Sequence, residues 1–92
     1  MQIGDVMDHQ NGTWSLWVAD DMGREYWVVV RGLQPHRIQG TPWVDYNGYE
    51  YEVLGADLPS GRDRLLVGAF GTAMDAIESL SGEEGTIEEG PG

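Results

Sequence analysis

Three carboxylates surround one short turn signal in the middle of the chain: Asp45, Glu50 and Glu52. Asn47-Gly48 lies between them, and Asn-Gly flanked by aromatic residues is typical of a two-residue hairpin turn, because both central positions take positive φ. The pattern predicts a hairpin in which Asp45 lies opposite Glu50, with Glu52 two residues further along the same face. Two carboxylates about 5 Å apart repel by roughly 1 kcal/mol in water, so we expect such a row to have a function.

Catalysis is one chemistry that paired carboxylates perform, but it requires a cleft that separates their pKa values, and the outer face of a hairpin offers none. His9 and His36 lie in predicted loops without a nucleophile motif around them, and the chain has no cysteine. Residues 45–50 contain the Asp, Asn, Gly and Glu of a calcium loop, yet the glycine is fourth where that loop needs it sixth. We therefore expect no enzymatic activity, no cofactor and no metal.

The net charge indicates which classes of partner the protein can bind. Sixteen acidic residues stand against five arginines and no lysine, which gives a formal charge of −11 in 92 residues. Such a chain repels nucleic acids and anionic membranes and attracts basic surfaces. A second acidic group follows near the C-terminal end: Asp75, Glu78, Glu83 and Glu84. We expect a basic protein as the partner, with no direct contact to nucleic acid or membrane.

The sequence predicts the cellular compartment through the absence of targeting signals. Residues 1–10 have neither the basic nor the apolar region of a secretory signal, and no run reaches the roughly 18 apolar residues of a membrane span. We expect a soluble, cytoplasmic protein.

Two segments rich in β-branched and aromatic residues predict the first hairpin: Thr13–Ala19 and residues 25–31, joined by DDMGR. Strand alternation places Leu16 and Val18 on one face, whereas Trp17 and Trp27 share the other. Either another segment covers this second face or it is a contact surface.

The remaining pattern predicts the rest of an α+β fold. We expect a strand near residues 3–7, a connecting loop at 32–40 with room for a short strand near 37–39, the Asn-Gly hairpin over 42–53 and a central strand at 64–70. Thr72 and Asp75 form a capping-box pattern that predicts a helix start. The buried stripe of that helix is expected to be Ala73, Met74, Ile77 and Leu80.

The predicted architecture is therefore a small, twisted antiparallel β-sheet of about five strands, mostly hairpins, with one C-terminal helix packed on it. Its size indicates one domain, residues 1–81. Residues 82–92 are acidic and glycine-rich and are predicted to form a flexible tail.

These features lead to the hypothesis of a small acidic binding module that docks carboxylates onto a basic nucleic-acid-binding protein, such as a host-defence or DNA-processing factor. In size and charge the chain resembles the acidic nucleic-acid mimics and counter-defence inhibitors, of anti-CRISPR and anti-restriction types, that phages and mobile elements encode. The oligomeric state stays open. The residues expected to bind the partner are Asp45, Glu50, Glu52, Asp75, Glu78, Glu83 and Glu84, with Trp43 or Trp17 as an aromatic anchor.

An alternative explains the same charge without a partner. A structural or accessory protein of a halophilic or high-GC organism, or of its virus, would be acidic only for solubility. This alternative predicts carboxylates scattered evenly over the surface, whereas the binding hypothesis predicts a coherent acidic front.

Overall fold

A computed structural model describes the backbone of residues 1–89 and the side chains of residues 1–80. The elements in chain order are seven strands and one helix: β1 (Gln2–Asp8), β2 (Thr13–Ala19), β3 (Glu25–Gly32), β4 (Pro35–Arg37), β5 (Val44–Tyr46), β6 (Tyr49–Leu54), β7 (Gly61–Asp63) and α1 (Leu66–Glu89). Five strands form one antiparallel sheet in the order β1-β2-β3-β6-β7, and β4 pairs with β5 in a separate two-stranded ribbon. The predicted α+β class is confirmed.

The predicted β2–β3 hairpin is present, with Trp17 opposite Trp27 and Leu16 opposite Val28, so the two tryptophans share one face as predicted. The strand expected near residues 3–7 is β1, an edge strand whose pairing with β2 shifts between Ile3 and Val6.

The core lies between one face of the sheet, the inner face, and the helix. Alternate residues of β2, β3 and β6 point to this face and are buried, because strand side chains alternate between faces. The helix contributes a buried stripe that includes the predicted Ala73 and Ile77, with Met74 and Leu80 half-buried beside it. The helix packs on β3, β6 and β7.

The predicted hairpin around Asn47-Gly48 is wrong. β6 pairs with β3 on one side and β7 on the other, while β5 pairs with β4. Gly48 has a φ of 93°, but Asn47 is not among the described residues with positive φ, so the turn that would close a tight hairpin is not formed. Pairing with the buried strand β3 removes Tyr51 and Val53 from water, which an isolated two-stranded hairpin would not do.

The strand predicted at residues 64–70 is also wrong, because the last strand ends at Asp63 and the helix begins at Leu66. Asp63 Oδ1 accepts a hydrogen bond from the Leu65 backbone N–H at 3.0 Å and turns the chain out of the strand. Thr72 does not cap the helix. It lies inside α1, where its hydroxyl donates to the carbonyl of Gly68 at 3.0 Å.

The stretch predicted as a connecting loop with room for a short strand near residues 37–39 contains strand β4, which lies slightly earlier, at Pro35–Arg37. The predicted tail, residues 82–92, lies outside the residues whose side chains the structure describes and stays a prediction. Within the described part of the chain, no helix combines the length and the apolar character needed to cross a membrane.

Candidate protein-binding surface

The face of the five-stranded sheet that points away from the helix, the outer face, is open to solvent. A row of large apolar side chains crosses it, because Trp17, Trp27 and Leu54 are in register on β2, β3 and β6. Trp27 is 47% exposed and Leu54 is 45% exposed. Trp17 is half-buried, and Gly4 of β1 lies against its ring, where an added Cβ would be 3.3 Å from the indole. Among the described residues, no segment covers Trp27 and Leu54, so this face is open to a contact.

Two carboxylates lie beside this row. Glu25 is two residues before Trp27 on β3, and Glu52 is two residues before Leu54 on β6, so both point to the outer face about 7 Å along the strand from their apolar neighbours. Glu25 and Glu52 are exposed. We call the surface made by Trp17, Trp27, Leu54, Glu25 and Glu52 the outer patch.

Glu50 also points to the outer face, but arginines surround it. Its cross-strand neighbours are Arg31 on β3 and Arg62 on β7. Arg31 reaches Glu52 as well, with Nη2 3.9 Å from Oε2, a distance at the limit of an ion pair. The predicted opposition of Asp45 and Glu50 is therefore wrong, since the tertiary pairing places cations where the hairpin would have placed a second carboxylate.

Asp45 lies on the β4–β5 ribbon, opposite His36. Its Oδ1 accepts the Tyr46 backbone N–H at 2.8 Å, and the Tyr49 hydroxyl lies 3.4 Å from the same oxygen. Burial and the nearby Asp45 charge raise the pKa of the Tyr49 hydroxyl. The carboxylate serves local structure here and does not continue a row with the acidic residues of β6.

Tyr46 fastens this ribbon to the sheet. Its ring packs edge-on against Trp14 at a centroid distance of 5.7 Å and lies 6.1 Å from the ring of Tyr49. Gly32, the last residue of β3, leaves the space that the Tyr46 ring fills. Beyond this anchor, Trp43 is 69% exposed near the ribbon's end.

The other acidic residues expected to bind a partner lie elsewhere. Asp75 and Glu78 are exposed on α1, which covers the inner face, so the sheet separates them from Glu50 and Glu52. Glu83 and Glu84 belong to the part of α1 whose side chains the structure does not describe. The predicted residues are thus distributed over the outer face, the ribbon and the helix, and the carboxylates among them that the structure describes do not form one continuous row.

Asp20 was not predicted to have a role, yet its carboxylate accepts several hydrogen bonds. Asp20, at the end of β2, is 7% exposed and accepts hydrogen bonds from the Met22 and Arg24 backbone N–H groups, the Arg24 Nε at 2.7 Å and the Tyr26 hydroxyl at 2.9 Å. Burial raises the pKa of Asp20, but these hydrogen bonds outweigh burial and hold the pKa below its usual value. The Asp-x-x-Gly-Arg spacing of the turn was the available signal, because an Asp side chain commonly bonds the backbone two residues on.

The described side chains, those of residues 1–80, contain no group of three or more His, Asp or Glu residues placed to hold a metal ion. His9 Nε2 is 2.8 Å from the Ser15 hydroxyl, which lies on the outer face of β2. In comparisons with protein-family models, curated proteins and solved structures, none matches the chain.

Proposed function

We propose that this protein is a small acidic binding module that contacts a basic protein through the outer patch. The observation that carries the proposal is the exposed indole of Trp27, which stands in an apolar row with carboxylates at its side. A tryptophan face attracts the cation of an arginine or lysine, and a nearby carboxylate adds charge and hydrogen-bond acceptors for the same group. Tryptophan is also among the residues that most often anchor protein interfaces.

The net charge of −11 supports the same class of partner. A strongly negative protein is steered towards positive surfaces, which raises the rate of encounter with basic partners. Nucleic-acid-binding proteins, among them host-defence and DNA-processing factors, carry such surfaces because they neutralise phosphates with lysine and arginine. We place the partner in this class on charge alone. The dispersed carboxylates give no support to an imitation of regularly spaced phosphates, so we propose competition by covering a basic surface.

A binding experiment with matched variants tests the proposal. The probe is a fluorescein-labelled peptide of alternating arginine and glycine, followed by fluorescence anisotropy. Trp27→Ala is expected to weaken binding about tenfold, the equivalent of about 1.4 kcal/mol, since cation–π contacts contribute about 0.5–2 kcal/mol. Trp43→Ala removes a more exposed indole, next to the ribbon, and is expected to leave affinity unchanged.

Charge pairs provide the second control. Glu25→Gln with Glu52→Gln and Asp45→Asn with Asp75→Asn each remove two negative charges, so they differ in position alone. The outer-patch pair is expected to weaken binding more than the remote pair. Equal loss in both would mean that net charge alone attracts the peptide, and the assignment of the outer patch would be rejected.

A second function is supported by the dispersion of the carboxylates and by the arginines on both sides of Glu50. In this alternative the protein is a structural or accessory component of a halophilic or high-GC organism or its virus, and its acidity provides solvation only. Its free energy of unfolding would then rise strongly from low to molar salt, because screening relieves repulsion among like charges. A binding module is expected to be stable at low salt and to lose its basic partner as salt rises.

A further inference from the structure

The inner face of the sheet is only partly covered by α1. Five strands at about 4.8 Å spacing make a sheet roughly 19 Å wide, and a helix with its side chains is about 10 Å across, so one helix covers about half of it. The helix lies over β3, β6 and β7. The edge strand β1 is left exposed beside it, whereas Leu16 and Val18 on the inner face of β2 are buried.

An apolar groove of about 450 Å³ lies between β1 and α1. Its described lining residues are all uncharged. Ile3 and Val6 of β1 form one side and are 51% and 53% exposed; Val67, at 73%, and Met74 of α1 form the other, and Leu16 closes the floor. The walls of the groove are thus a strand at the edge of the sheet and a helix.

Carboxylates border the groove on both sides. Asp5 and Asp8 lie on β1 and are exposed. On the helix, Glu78 follows Met74 by four residues and Asp75 follows Gly71 by four, so each lies one turn beyond a lining residue on the same side.

The position of Glu78 beside β1 has an independent indication. A hydrogen bond with Asp21 and the charge of Asp21 raise the pKa of the Met1 amine, and the charge of Glu78 raises it too, which places Glu78 near the start of β1. No arginine is among the described lining residues of the groove: Arg31 and Arg62 are on the outer face, Arg37 is on the ribbon, Arg64 precedes the helix and Arg24 is in the β2–β3 turn.

From this groove and its border we propose that a basic amphipathic helix of a partner protein docks beside α1, with apolar residues in the groove and lysines or arginines against the carboxylates. A helix in an apolar groove is a recurrent mode of recognition, and its flanking charges determine which helices bind. A second copy of this chain fits poorly, because each copy carries −11 and the same acidic border. Residues 81–92 of the chain fit no better, since they include four glutamates and no basic residue.

Gly71 permits a sharp test. It lines the groove, and a Cβ added there meets nothing within 4 Å, so a larger side chain would extend into open space. A helical glycine replaced by leucine also gains helix propensity, so Gly71→Leu is expected to melt no lower than the original protein while it fills the groove. Ser79→Leu is the matched control, since it adds the same side chain to an exposed position of α1 away from the groove.

The probe is a labelled 18-residue peptide of leucine and lysine, with leucine at helical i, i+3, i+4 and i+7 spacing. Binding is measured by anisotropy and peptide helicity by circular dichroism. We expect the peptide to become helical on binding, Gly71→Leu to weaken its affinity about tenfold, and Ser79→Leu to leave it unchanged. A peptide of the same composition without the stripe, and a leucine–glutamate peptide with the stripe, are expected to bind about tenfold more weakly or not at all.

Charge reversal separates this site from the outer patch. Glu78→Lys is expected to weaken the leucine–lysine peptide, whereas Glu25→Lys, on the opposite face, is expected to affect only the arginine–glycine peptide. Unchanged affinity in Gly71→Leu would overturn the proposal, and so would a bound peptide that stays non-helical. Sedimentation that shows self-association abolished by Gly71→Leu would also overturn it, because a second copy would then be the occupant.

Discussion

The contact between Gly32 and Tyr46 offers the most direct test of the chain path described above. A Cβ on residue 32 would overlap the Tyr46 ring, coming within 2.7 Å of Cε1 and closer to Cδ1 and Cγ. Gly32→Ala must therefore displace that ring. Overpacking of this kind costs about 1–3 kcal/mol, and displacement also weakens the contacts of Tyr46 with Trp14 and Tyr49, each about 0.5–1.5 kcal/mol. We expect Gly32→Ala to lower the free energy of unfolding by about 2–3 kcal/mol.

The same substitution should behave differently once the ring is gone. In a Tyr46→Ala background no ring opposes the new methyl group, and alanine is favoured over a strand glycine by about 0.5–1 kcal/mol. Gly32→Ala is then expected to be neutral or slightly stabilising, which gives the double-mutant cycle a coupling energy of at least about 2 kcal/mol. Urea unfolding of the four proteins, followed by tryptophan fluorescence, measures the cycle.

The cycle also distinguishes two chain paths. In a hairpin closed by Asn47-Gly48, Tyr46 would pair with Tyr49 and would have no reason to contact Gly32. If Gly32→Ala lowers the free energy of unfolding equally in both backgrounds, the contact between Gly32 and Tyr46 is refuted. The chain path in which the β4–β5 ribbon connects the end of β3 to β6 is then refuted too.

Three further outcomes are expected from the structure. Ile77→Ala, at a fully buried position, should lower the free energy of unfolding by about 2–5 kcal/mol, whereas Val67→Ala, at an exposed position, should change it by less than about 0.5 kcal/mol in urea titrations. The pKa of Asp20 is lowered in the folded protein, so the ionised carboxylate stabilises the fold above the unfolded-state pKa of about 3.9. This stabilisation is lost as the pH falls through the folded-state pKa. Asp20→Asn should therefore reduce the fall of the melting temperature when it is measured from neutral to acid pH. The changes in unfolding free energy caused by Asp45→Ala and by Glu50→Ala should be additive in the double variant, because the two residues lie on different sheets. A coupling energy near the roughly 1 kcal/mol expected for adjacent carboxylates would contradict the strand order.

Local patterns predicted several elements well, and the β2–β3 hairpin is the clearest case. Its two strands alternate apolar and other residues, and the turn between them contains glycine, so a few neighbouring residues determine both the pairing and the face of each side chain. The buried stripe of the helix followed in the same way from spacing, as Ala73 and Ile77 illustrate. For β6, Glu50 and Glu52 share one face as predicted even though the predicted partner strand was wrong, because alternation does not depend on the neighbour.

The errors arose where a local signal competed with burial elsewhere in the chain. Asn47-Gly48 is a strong turn signal, but pairing β6 between β3 and β7 buries more apolar surface than a separate hairpin would. The run at residues 64–70 was ambiguous, since a short apolar stretch fits either a strand or a helix. Two features favour the helix. Asp63 turns the chain at the end of β7, and Ala69 lies in the buried stripe of α1.

The amino-acid sequence by itself determined the charge, the class of fold and the alternation of faces along β2, β3 and β6, because these depend on composition and on spacing within single elements. The tertiary structure alone decided which strands are neighbours. That choice placed Glu50 between Arg31 and Arg62, isolated Asp45 on the ribbon and left Trp27 and the groove beside α1 open. The fold minimises the exposed apolar area of the whole chain, and this decides which charges are neighbours and which apolar surfaces stay exposed. The total area depends on all segments together, so no single segment predicts it.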